Sequence, residues 1–384
     1  MRRYAYVFGA ICATAALTLS ACGAANTFHT AVSPSYPDVR TILQRLTTVD
    51  GAPGVLLEVH DVRGRTVLSS GVANLETRAA MAEDSRFRIG SMSKMFVATV
   101  VLQLVSEHRV ELDAPIEQYL PGMIQGNGYD GHAITVRQLL QHTSGLPDYL
   151  DDLSLDQVLK DPLAHHDPLD LVHLALAHPP TFPPGTGWAY SNTNYLLAAI
   201  LIEKLTGRPY GEEITQRIIA PLGLPDTSVP GDDSTIPGDH PQGYIKQGTA
   251  ATDLTTFNPS IAGASGSMIS SAADLNKLLD SLITGGLLHS PELQEMMKTH
   301  PTADSSQDAY GLGLQSTPLP CGGLYWGHDG GIQGFQTLGA TTTDGRRATI
   351  MANLYPGETQ TQDTDIRAAL AAALCASTPS KANP

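Results

Sequence analysis

The chemistry of this chain is centred on residues 88–96, which read RIGSMSKMF. Ser91 follows a glycine, Lys94 comes three residues later, and residues 95–105 form a nearly unbroken apolar run. Such a run is typical of a buried helix. If the helix begins at Ser91, the serine and the lysine lie one turn apart on the same face. Burial lowers the pKa of an ammonium group, and a lysine that has lost its proton can activate a serine as a nucleophile.

Composition and charge narrow the functional classes. The 384 residues are 42% hydrophobic and 16% charged, which predicts a globular protein with a large core and two structural units. The formal net charge is −15, and no run rich in lysine or arginine interrupts it. Because such a chain would be repelled by phosphates, we expect no nucleic-acid partner.

The N-terminus predicts export. Residues 1–21 read as a lipoprotein signal peptide, with Arg2 and Arg3 before an apolar stretch that is too short for a stable membrane anchor. Residues 19–22, LSAC, resemble a bacterial lipobox, so Cys22 is predicted to carry lipid on the outer face of the cytoplasmic membrane. The alternative is ordinary cleavage a few residues later, which would give a secreted protein.

The remaining cysteines suggest one disulfide. Cys12 leaves with the signal peptide and Cys22 takes the lipid, which leaves Cys321 and Cys375 in an oxidising compartment. The alternative is two unrelated buried thiols.

The order of the predicted elements indicates an α/β (α+β) fold with an inserted helical part. Hairpin-like connections predict that the sheet is mostly antiparallel, and helices should flank it. Helices are predicted at 136–141, 194–206 and 211–219, the second of which should end at Gly207. Strands are predicted at 263–269, 335–342 and 347–353, the last two joined by a turn at Asp344 and Gly345. The predicted division is a linker at 22–37, a discontinuous α/β domain at 38–90 and 262–376, a helical domain at 91–261, and a flexible tail at 377–384.

Two later motifs contain polar side chains that suit acyl transfer. Tyr190 and Asn192 are two residues apart and can project to the same side of an extended segment. A tyrosine beside a lysine ammonium ionises more easily and could relay a proton, and an asparagine can donate to a substrate carbonyl. His328 and Gly330 form His-x-Gly on a predicted strand, where glycine allows a substrate backbone to approach closely.

Together these motifs resemble the serine β-lactamase and penicillin-binding superfamily, whose marks are Ser-x-x-Lys, Tyr-x-Asn and (Lys or His)-x-Gly. The class-C-like branch is similar in further segments, and the secreted D-alanyl-D-alanine carboxypeptidases of actinomycetes are the most similar group. These segments are 139–146 (LLQHTSGL), 190–195 (YSNTNY), 202–207 (IEKLTG), 221–224 (PLGL) and 310–314 (YGLGL). The resemblance implies the β-lactamase/transpeptidase-like fold and also supports the Cys321–Cys375 bridge.

The resemblance also implies roles for the motif residues. Ser91 would attack a carbonyl carbon and form an acyl-enzyme, while Lys94 and Tyr190 share the proton transfers, with the identity of the base left open. The backbone N–H groups of Ser91 and Gly331 would form the oxyanion hole. Asn192 would hold the substrate amide. His328, carried into the cleft by its strand, would supply electrostatic support near Tyr190, and Gly330 would let the substrate approach. No metal or cofactor is implied.

Three positions depart from the carboxypeptidase pattern. An arginine that helps to hold the substrate's terminal carboxylate is replaced by Gln315, and hydroxyl residues in and after His-x-Gly are replaced by Asp329 and Gly331. An aspartate at this place would repel a carboxylate. Arg346 and Arg347 lie on a predicted hairpin turn, so the missing role is not transferred to them.

The sequence therefore predicts a serine hydrolase that acts on D-Ala-D-Ala stem peptides of peptidoglycan and is acylated by β-lactams. The alternatives on the same scaffold are a class-C-like β-lactamase, an esterase, a D-amino-acid peptidase or amidase, and a β-lactam sensor without turnover. The histidines elsewhere are assigned structural roles. His142 should bond at a helix end. The remaining ones lack the spacing of metal ligands, namely His165, His166, His173 and His178.

Overall fold

The computed structural model describes residues 36–248, 250–302, 308–357 and 360–376. The predicted signal peptide, Cys22 and the tail at 377–384 lie outside the described residues. The linker was expected to reach residue 37, but Tyr36 is already buried and the first helix begins at Pro37. None of the helices in the described ranges has the length and hydropathy needed to cross a bilayer.

A large antiparallel sheet forms the middle layer of the protein, which confirms the predicted fold class. Within the described residues it has eight strands in the order β2-β1-β14-β13-β12-β11-β10-β9. Its strands are β1 (Gly54–Asp61), β2 (Gly64–Gly71), β9 (His300–Pro301), β10 (Ala309–Tyr310), β11 (Gln315–Pro318), β12 (Leu324–Ile332), β13 (Phe335–Thr341) and β14 (Arg347–Ala352). The shorter strands form separate pairs, namely β3 (Phe87–Arg88) with β8 (Ile269–Ser270), β4 (Gln125–Gly126) with β5 (Tyr129–Asp130), and β6 (Tyr244–Gln247) with β7 (Ala250–Asp253).

Helices cover both faces of the sheet. Those in the described residues are α1 (Pro37–Thr48), α2 (Ser93–Ser106), α3 (Val136–Gln141), α4 (Leu155–Lys160), α5 (Pro168–Leu176), α6 (Thr193–Thr206), α7 (Tyr210–Ile214), α8 (Ala220–Leu222), α9 (Ala272–Ile283), α10 (Ser290–Met296) and α11 (Gln360–Ala376). The segment between β3 and β8 contributes α2 to α8. The described residues form one compact unit, and the proposed division into domains stays a prediction.

The residue pattern of β1 explains why helices pack on both of its faces. Val55, Leu57 and Val59 alternate with Leu56, and successive side chains of a strand point to opposite faces. The first three belong to the core beneath α1 and α11, whereas Leu56 belongs to the core that contains α2 and α9. The apolar residues of β1 therefore hold helices on both of its sides.

The disulfide Cys321–Cys375 is present and fastens the end of α11 to the loop before β12. The histidine at the end of α3 is also as predicted. His142 takes a left-handed backbone conformation, with φ of 61°, at the C-cap of α3.

Two local expectations were wrong. The segment 263–269 was expected to be a strand, but residues Gly263–Ser265 form a 3-10 turn and β8 contains only Ile269–Ser270. The helix at Ser91 was expected to begin at the serine, whereas Gly90–Met92 form a 3-10 turn and α2 begins at Ser93. In both places glycines with positive φ, Gly90 at 54° and Gly263 at 47°, favour a tight turn over a regular element.

Candidate active site

Ser91 lies on the 3-10 turn that connects β3 to α2. The side chain of Ser93 fixes this turn, because its Oγ donates to the carbonyl of Gly90 at 2.7 Å and accepts from the N–H of Met268 at 3.2 Å. The one-turn spacing brings Lys94 Nζ to 3.0 Å from Ser91 Oγ. The sequence motif thus produces the expected contact, although the serine precedes the regular helix.

Lys94 is fully buried and has two further acceptors. Its Nζ donates to Asn192 Oδ1 at 2.7 Å and to the carbonyl oxygen of Ser265 at 2.8 Å. Burial lowers the pKa of Lys94 to about 7, although the charges of Asp148 and Asp329 act in the opposite direction. Lys94 can therefore lose its proton near neutral pH while it stays in contact with Ser91.

Tyr190 lies next to this pair. Lys94 Nζ is 4.8 Å from the centroid of the Tyr190 ring. Burial raises the pKa of Tyr190 well above its usual value, and a hydrogen bond with Ser91 offsets only part of this. The expectation that the neighbouring lysine eases ionisation of the tyrosine was therefore wrong, because burial of the phenolate and the nearby carboxylates Asp329 and Asp148 raise its pKa.

Asn192 connects Lys94 to a carboxylate that the sequence analysis missed. While its Oδ1 accepts from Lys94, its Nδ2 donates to Asp148 Oδ2 at 2.7 Å. Burial raises the pKa of Asp148, and the hydrogen bonds from Leu150 and Asn192 and the charge of Lys94 offset part of that rise. Asp148 follows the HTSGL motif in sequence, so its proximity to the motif was the available signal.

His142 holds the segment that contains Tyr190 and Asn192. Its Nδ1 accepts from the backbone N–H of Ser191 at 3.2 Å, and its carbonyl accepts from the N–H of Ala189 at 3.1 Å. Burial and the charges of Lys94 and His328 keep the pKa of His142 well below its usual value, so the ring remains a neutral acceptor. The predicted structural role of His142 is confirmed.

Strand β12 lies along the cleft. Asp329, Gly330 and Gly331 line the cleft, while His328 is fully buried behind its wall. The His328 ring is 6.3 Å from the ring of Tyr190, and its Nε2 is 2.8 Å from the hydroxyl of Tyr310. His328 thus lies near Tyr190 as expected, but it was expected to enter the cleft, and the alternation of the strand places it behind.

The glycines of β12 let it approach the Ser91 turn. A Cβ atom on Gly330 would lie 2.1 Å from the carbonyl oxygen of Ile89, and one on Gly90 would lie 2.7 Å from the backbone nitrogen of Gly331. These backbone contacts bring the amide of Gly331 beside the turn that carries Ser91. This is the arrangement expected of a two-amide oxyanion hole.

The cleft in front of Ser91 has a volume of about 540 Å³. Besides the motif residues, its lining includes Trp188, Tyr355 and Arg367. The other tryptophan, Trp326, belongs to the core. Arg367 comes from α11 at the far end of the sequence, and no motif marks it.

One end of the cleft has an excess of carboxylates. Arg367 Nη2 contacts Asp329 Oδ2 at 2.7 Å, its Nε contacts Asp363 Oδ2 at 3.1 Å, and its Nη1 lies 3.7 Å from Asp308 Oδ2. Gln315 Nε2 lies 3.4 Å from Asp329 Oδ1. Burial alone would raise the pKa of Asp329, but contact with His328 and the charge of Arg367 outweigh it and hold that pKa below its usual range.

The remaining candidates lie elsewhere. Arg346 contacts Asp344 and the carbonyl of Leu374, and Arg347 contacts Asp280. Neither arginine lines the cleft. The residues described in the structure contain no cluster of three or more histidine, cysteine or acidic side chains that could hold a metal ion.

The family model described as Beta-lactamase matches residues 39–373. The chain belongs to this family. It is a serine hydrolase of the β-lactamase and penicillin-binding superfamily, which confirms the resemblance seen in its motifs.

Solved structures of relatives share nearly the whole fold. A D-stereospecific amidohydrolase from Streptomyces sp. is 39% identical with a TM-score of 0.80, over 86% of this chain and 98% of that one. A D-amino acid amidase from Ochrobactrum anthropi SV3, complexed with L-phenylalanine amide, is 29% identical with a TM-score of 0.78, over 88% of this chain and 97% of that one.

Penicillin-binding protein 4* of Bacillus subtilis (strain 168) is 26% identical over 314 residues, which is 78% of this chain and 68% of that protein. Across the curated relatives it matches, the aligned part of this chain spans between 39% and 68% of their length.

Proposed function

We propose that this protein hydrolyses amides or short peptides of D-amino acids that carry a free ammonium group, through an acyl-enzyme at Ser91. The observation that carries the proposal is the charge at one end of the cleft. Arg367 is already in contact with Asp329 and Asp363, and Gln315 replaces the arginine expected of a carboxypeptidase. The described lining offers no other arginine or lysine for a substrate carboxylate. The similarity to the Streptomyces and Ochrobactrum amidohydrolases supports the same substrate class.

The proposed reaction uses each group in the protonation state that its surroundings favour. Neutral Lys94 takes the proton of Ser91 Oγ as that oxygen attacks the amide carbon. The N–H groups of Ser91 and Gly331 donate to the resulting oxyanion. Tyr190 retains its proton because its pKa is raised, so it can deliver that proton to the leaving nitrogen and recover one from Lys94. Lys94 then takes a proton from the water that attacks the ester of Ser91, and it returns that proton to Ser91 Oγ as the bond from the acyl carbon to Oγ breaks and the acid leaves.

A direct comparison of substrates tests the proposal. The enzyme is incubated with D-phenylalanine amide, L-phenylalanine amide and a diacylated Lys-D-Ala-D-Ala peptide, and release of ammonia or D-alanine is measured. We expect the D-amide to be cleaved with the highest kcat/KM and Ser91→Ala to cleave nothing. Release of D-alanine without cleavage of the D-amide would overturn the proposal.

A second candidate, D-alanyl-D-alanine carboxypeptidase, is favoured by Arg367, because this guanidinium could hold a substrate carboxylate if Asp329 released it. The similarity to penicillin-binding protein 4* agrees with that candidate. In the first function Asp329 stays paired with Arg367, whereas in the second it releases Arg367 to a substrate carboxylate.

We expect Asp329→Asn to exchange the two preferences. Removal of one negative charge should raise kcat/KM for the D-Ala-D-Ala peptide about tenfold and lower it about tenfold for the D-amide, as expected for roughly 1.4 kcal/mol on each. Asp113→Asn is a matched control, because Asp113 pairs with Arg137 and does not line the cleft. Equal changes on both substrates would show that Asp329 acts on the fold or on the charge of Lys94 rather than on substrate charge.

We also propose that the protein is exported and carries lipid at Cys22, which rests on the sequence of residues 1–22 alone. Cys22→Ser should move the protein from the membrane fraction to the soluble fraction of the producing cell. An unchanged distribution would contradict lipidation. The proposed location gives the enzyme access to peptidoglycan fragments and to peptides outside the cell.

A further inference from the structure

A small apolar recess opens from the cleft at the end of β12. Its volume is about 140 Å³, and its walls include Leu150, Ile261, Ala262, Ile332 and Tyr355. No charged residue is among the described residues that line it. Because Leu150, Ala262 and Tyr355 also line the main cleft, the recess is continuous with the space in front of Ser91.

The mouth of the recess is next to the reacting groups. Gly331, whose N–H is the candidate oxyanion donor, lines both spaces. A Cβ atom on Gly331 would lie 2.5 Å from the ring of Tyr355, so the glycine and the tyrosine are in close contact. A substrate with its carbonyl oxygen at Gly331 would therefore have the recess beside the carbon atoms that follow the carbonyl.

The walls are held in place from outside the recess. The carboxylate of Asp148 accepts from the N–H of Leu150 at 3.1 Å and from Asn192 Nδ2 at 2.7 Å. The N–H of Tyr355 donates to Tyr244 at 3.0 Å, and its carbonyl accepts from Gly334 at 2.8 Å. One wall is thus tied to the residues that hold Lys94, and the other to the β12–β13 hairpin.

Leu150 gives a reason for an apolar occupant. Leu150 is 37% exposed, whereas Ile261 and Ile332 on the other walls are 4% and 5% exposed. A ligand that covers Leu150 removes apolar surface from water, which is favourable. A charged or strongly polar group would lose its hydration and find no charged partner here.

We propose that this recess binds the side chain of the acyl residue, and that it selects apolar side chains up to the size of a benzyl group. The assignment to a D-residue rests on the function proposed above. An apolar cavity of about 150 Å³ with aliphatic walls can hold a benzene molecule, so the volume suits a phenyl ring. Indole, which is larger, would not fit without movement of Tyr355 or Leu150.

Two aryl esters test the recess without relying on D-amide hydrolysis. Acylation of Ser91 by p-nitrophenyl phenylacetate and p-nitrophenyl acetate is compared, with each kcat/KM divided by the rate of hydroxide hydrolysis. In the wild type we expect the phenylacetate to be favoured at least about tenfold, because a few added carbons in an apolar pocket give discrimination of this order.

The variant Ala262→Leu fills the recess and should reduce that preference about tenfold, with Ala262→Val intermediate. Thr302→Val is the matched control, because Thr302 lines the cleft but not the recess, and the ratio should stay as in the wild type. The burst of p-nitrophenol counts the functional Ser91 sites in each variant, so a folding defect is separated from a change in preference. An unchanged ratio in both Ala262 variants, or an equal change in Thr302→Val, would overturn the proposal.

The same variants with D-phenylalanine amide and D-alanine amide then separate the two hypotheses. If the preference for the phenylacetate ester falls in the Ala262 variants but neither amide is cleaved, the recess is supported and the proposed amidase function fails. If both amides are cleaved with equal kcat/KM in the wild type and in Ala262→Leu, the assignment to the acyl side chain fails while the amidase function remains.

Discussion

Lys94→Met should lower the rate of Ser91 acylation about 10³-fold, the range of general base catalysis. Methionine preserves the length and apolar character of the side chain but cannot accept the proton of Ser91. It also removes the donor that Asn192 and Ser265 share. The measurement is stopped-flow acylation by a chromogenic ester or a labelled penicillin.

Lys94→Arg is the informative control, because a guanidinium keeps the positive charge and cannot act as a base. Arginine should therefore be as defective as methionine. If Lys94→Arg retained most of the acylation rate, the lysine would act through its charge, and Tyr190 would have to be the base.

The pH dependence of the wild type follows from the pKa of about 7 that burial gives Lys94. Below that pH the ammonium form predominates and cannot take a proton, and above it the neutral form predominates. The rate of acylation should thus rise with pH through about 7 and then level off. Asp148→Asn should shift this limb to lower pH, because Asp148 is one of the charges that favour the ammonium.

Helices and strands with local sequence signals were predicted correctly. Residues 136–141 were predicted as a helix and form one, with Thr135 and Gln138 in a capping box. The helix near residues 194–206 ends as predicted at Gly207, which has a left-handed conformation. Strands β13 and β14 lie where they were predicted and pair as a hairpin through the turn at Asp344.

Elements that depend on distant partners were not predictable. Strands β9, β10 and β11 have two to four residues each, too few for a periodic pattern. They form by successive pairing outward from β12, with β11 on β12, β10 on β11 and β9 on β10. Residues 211–219 were expected to form one regular helix, but the structure has a π-helical stretch at Thr215–Ile219. No local signal marks such an irregularity.

The residues of the candidate site likewise divide into those that a local motif marks and those that only tertiary contacts bring to the site. Ser91, Lys94, Tyr190 and Asn192 were found because short motifs place them, and the fold brings them together. Asp148 and Arg367 were missed because their roles arise from tertiary contacts, across 44 residues to Asn192 and across 38 residues to Asp329. The side-chain direction of His328 depends on which residues of β12 face the cleft, and the sequence alone did not determine this.

Gly330→Ala should lower kcat/KM about 10²-fold while the protein still folds. A Cβ atom at this position would lie 2.1 Å from the carbonyl oxygen of Ile89 and 2.5 Å from Thr337 Oγ1, which itself donates to that carbonyl at 3.0 Å. Both obstacles are held in place, so β12 and the Ser91 turn must move apart. A displacement of about 1 Å at a reacting group costs roughly this factor. Overpacking should also lower the free energy of unfolding by about 1–3 kcal/mol.

The neighbouring glycine supplies the matched comparison. The three atoms nearest to a Cβ atom on Gly331 all belong to the ring of Tyr355, the first at 2.5 Å, so the double variant Gly331→Ala/Tyr355→Ala removes this obstacle. We expect the double variant to acylate faster than Gly331→Ala, whereas no single side-chain truncation relieves Gly330→Ala, because a backbone carbonyl blocks it. The measurement is the rate of ester acylation per titrated Ser91. A normal rate in Gly330→Ala would mean that the Ser91 turn and β12 can separate without loss of activity. The oxyanion would then need a donor other than Gly331, since the contact with Ile89 is what keeps that amide beside the nucleophile.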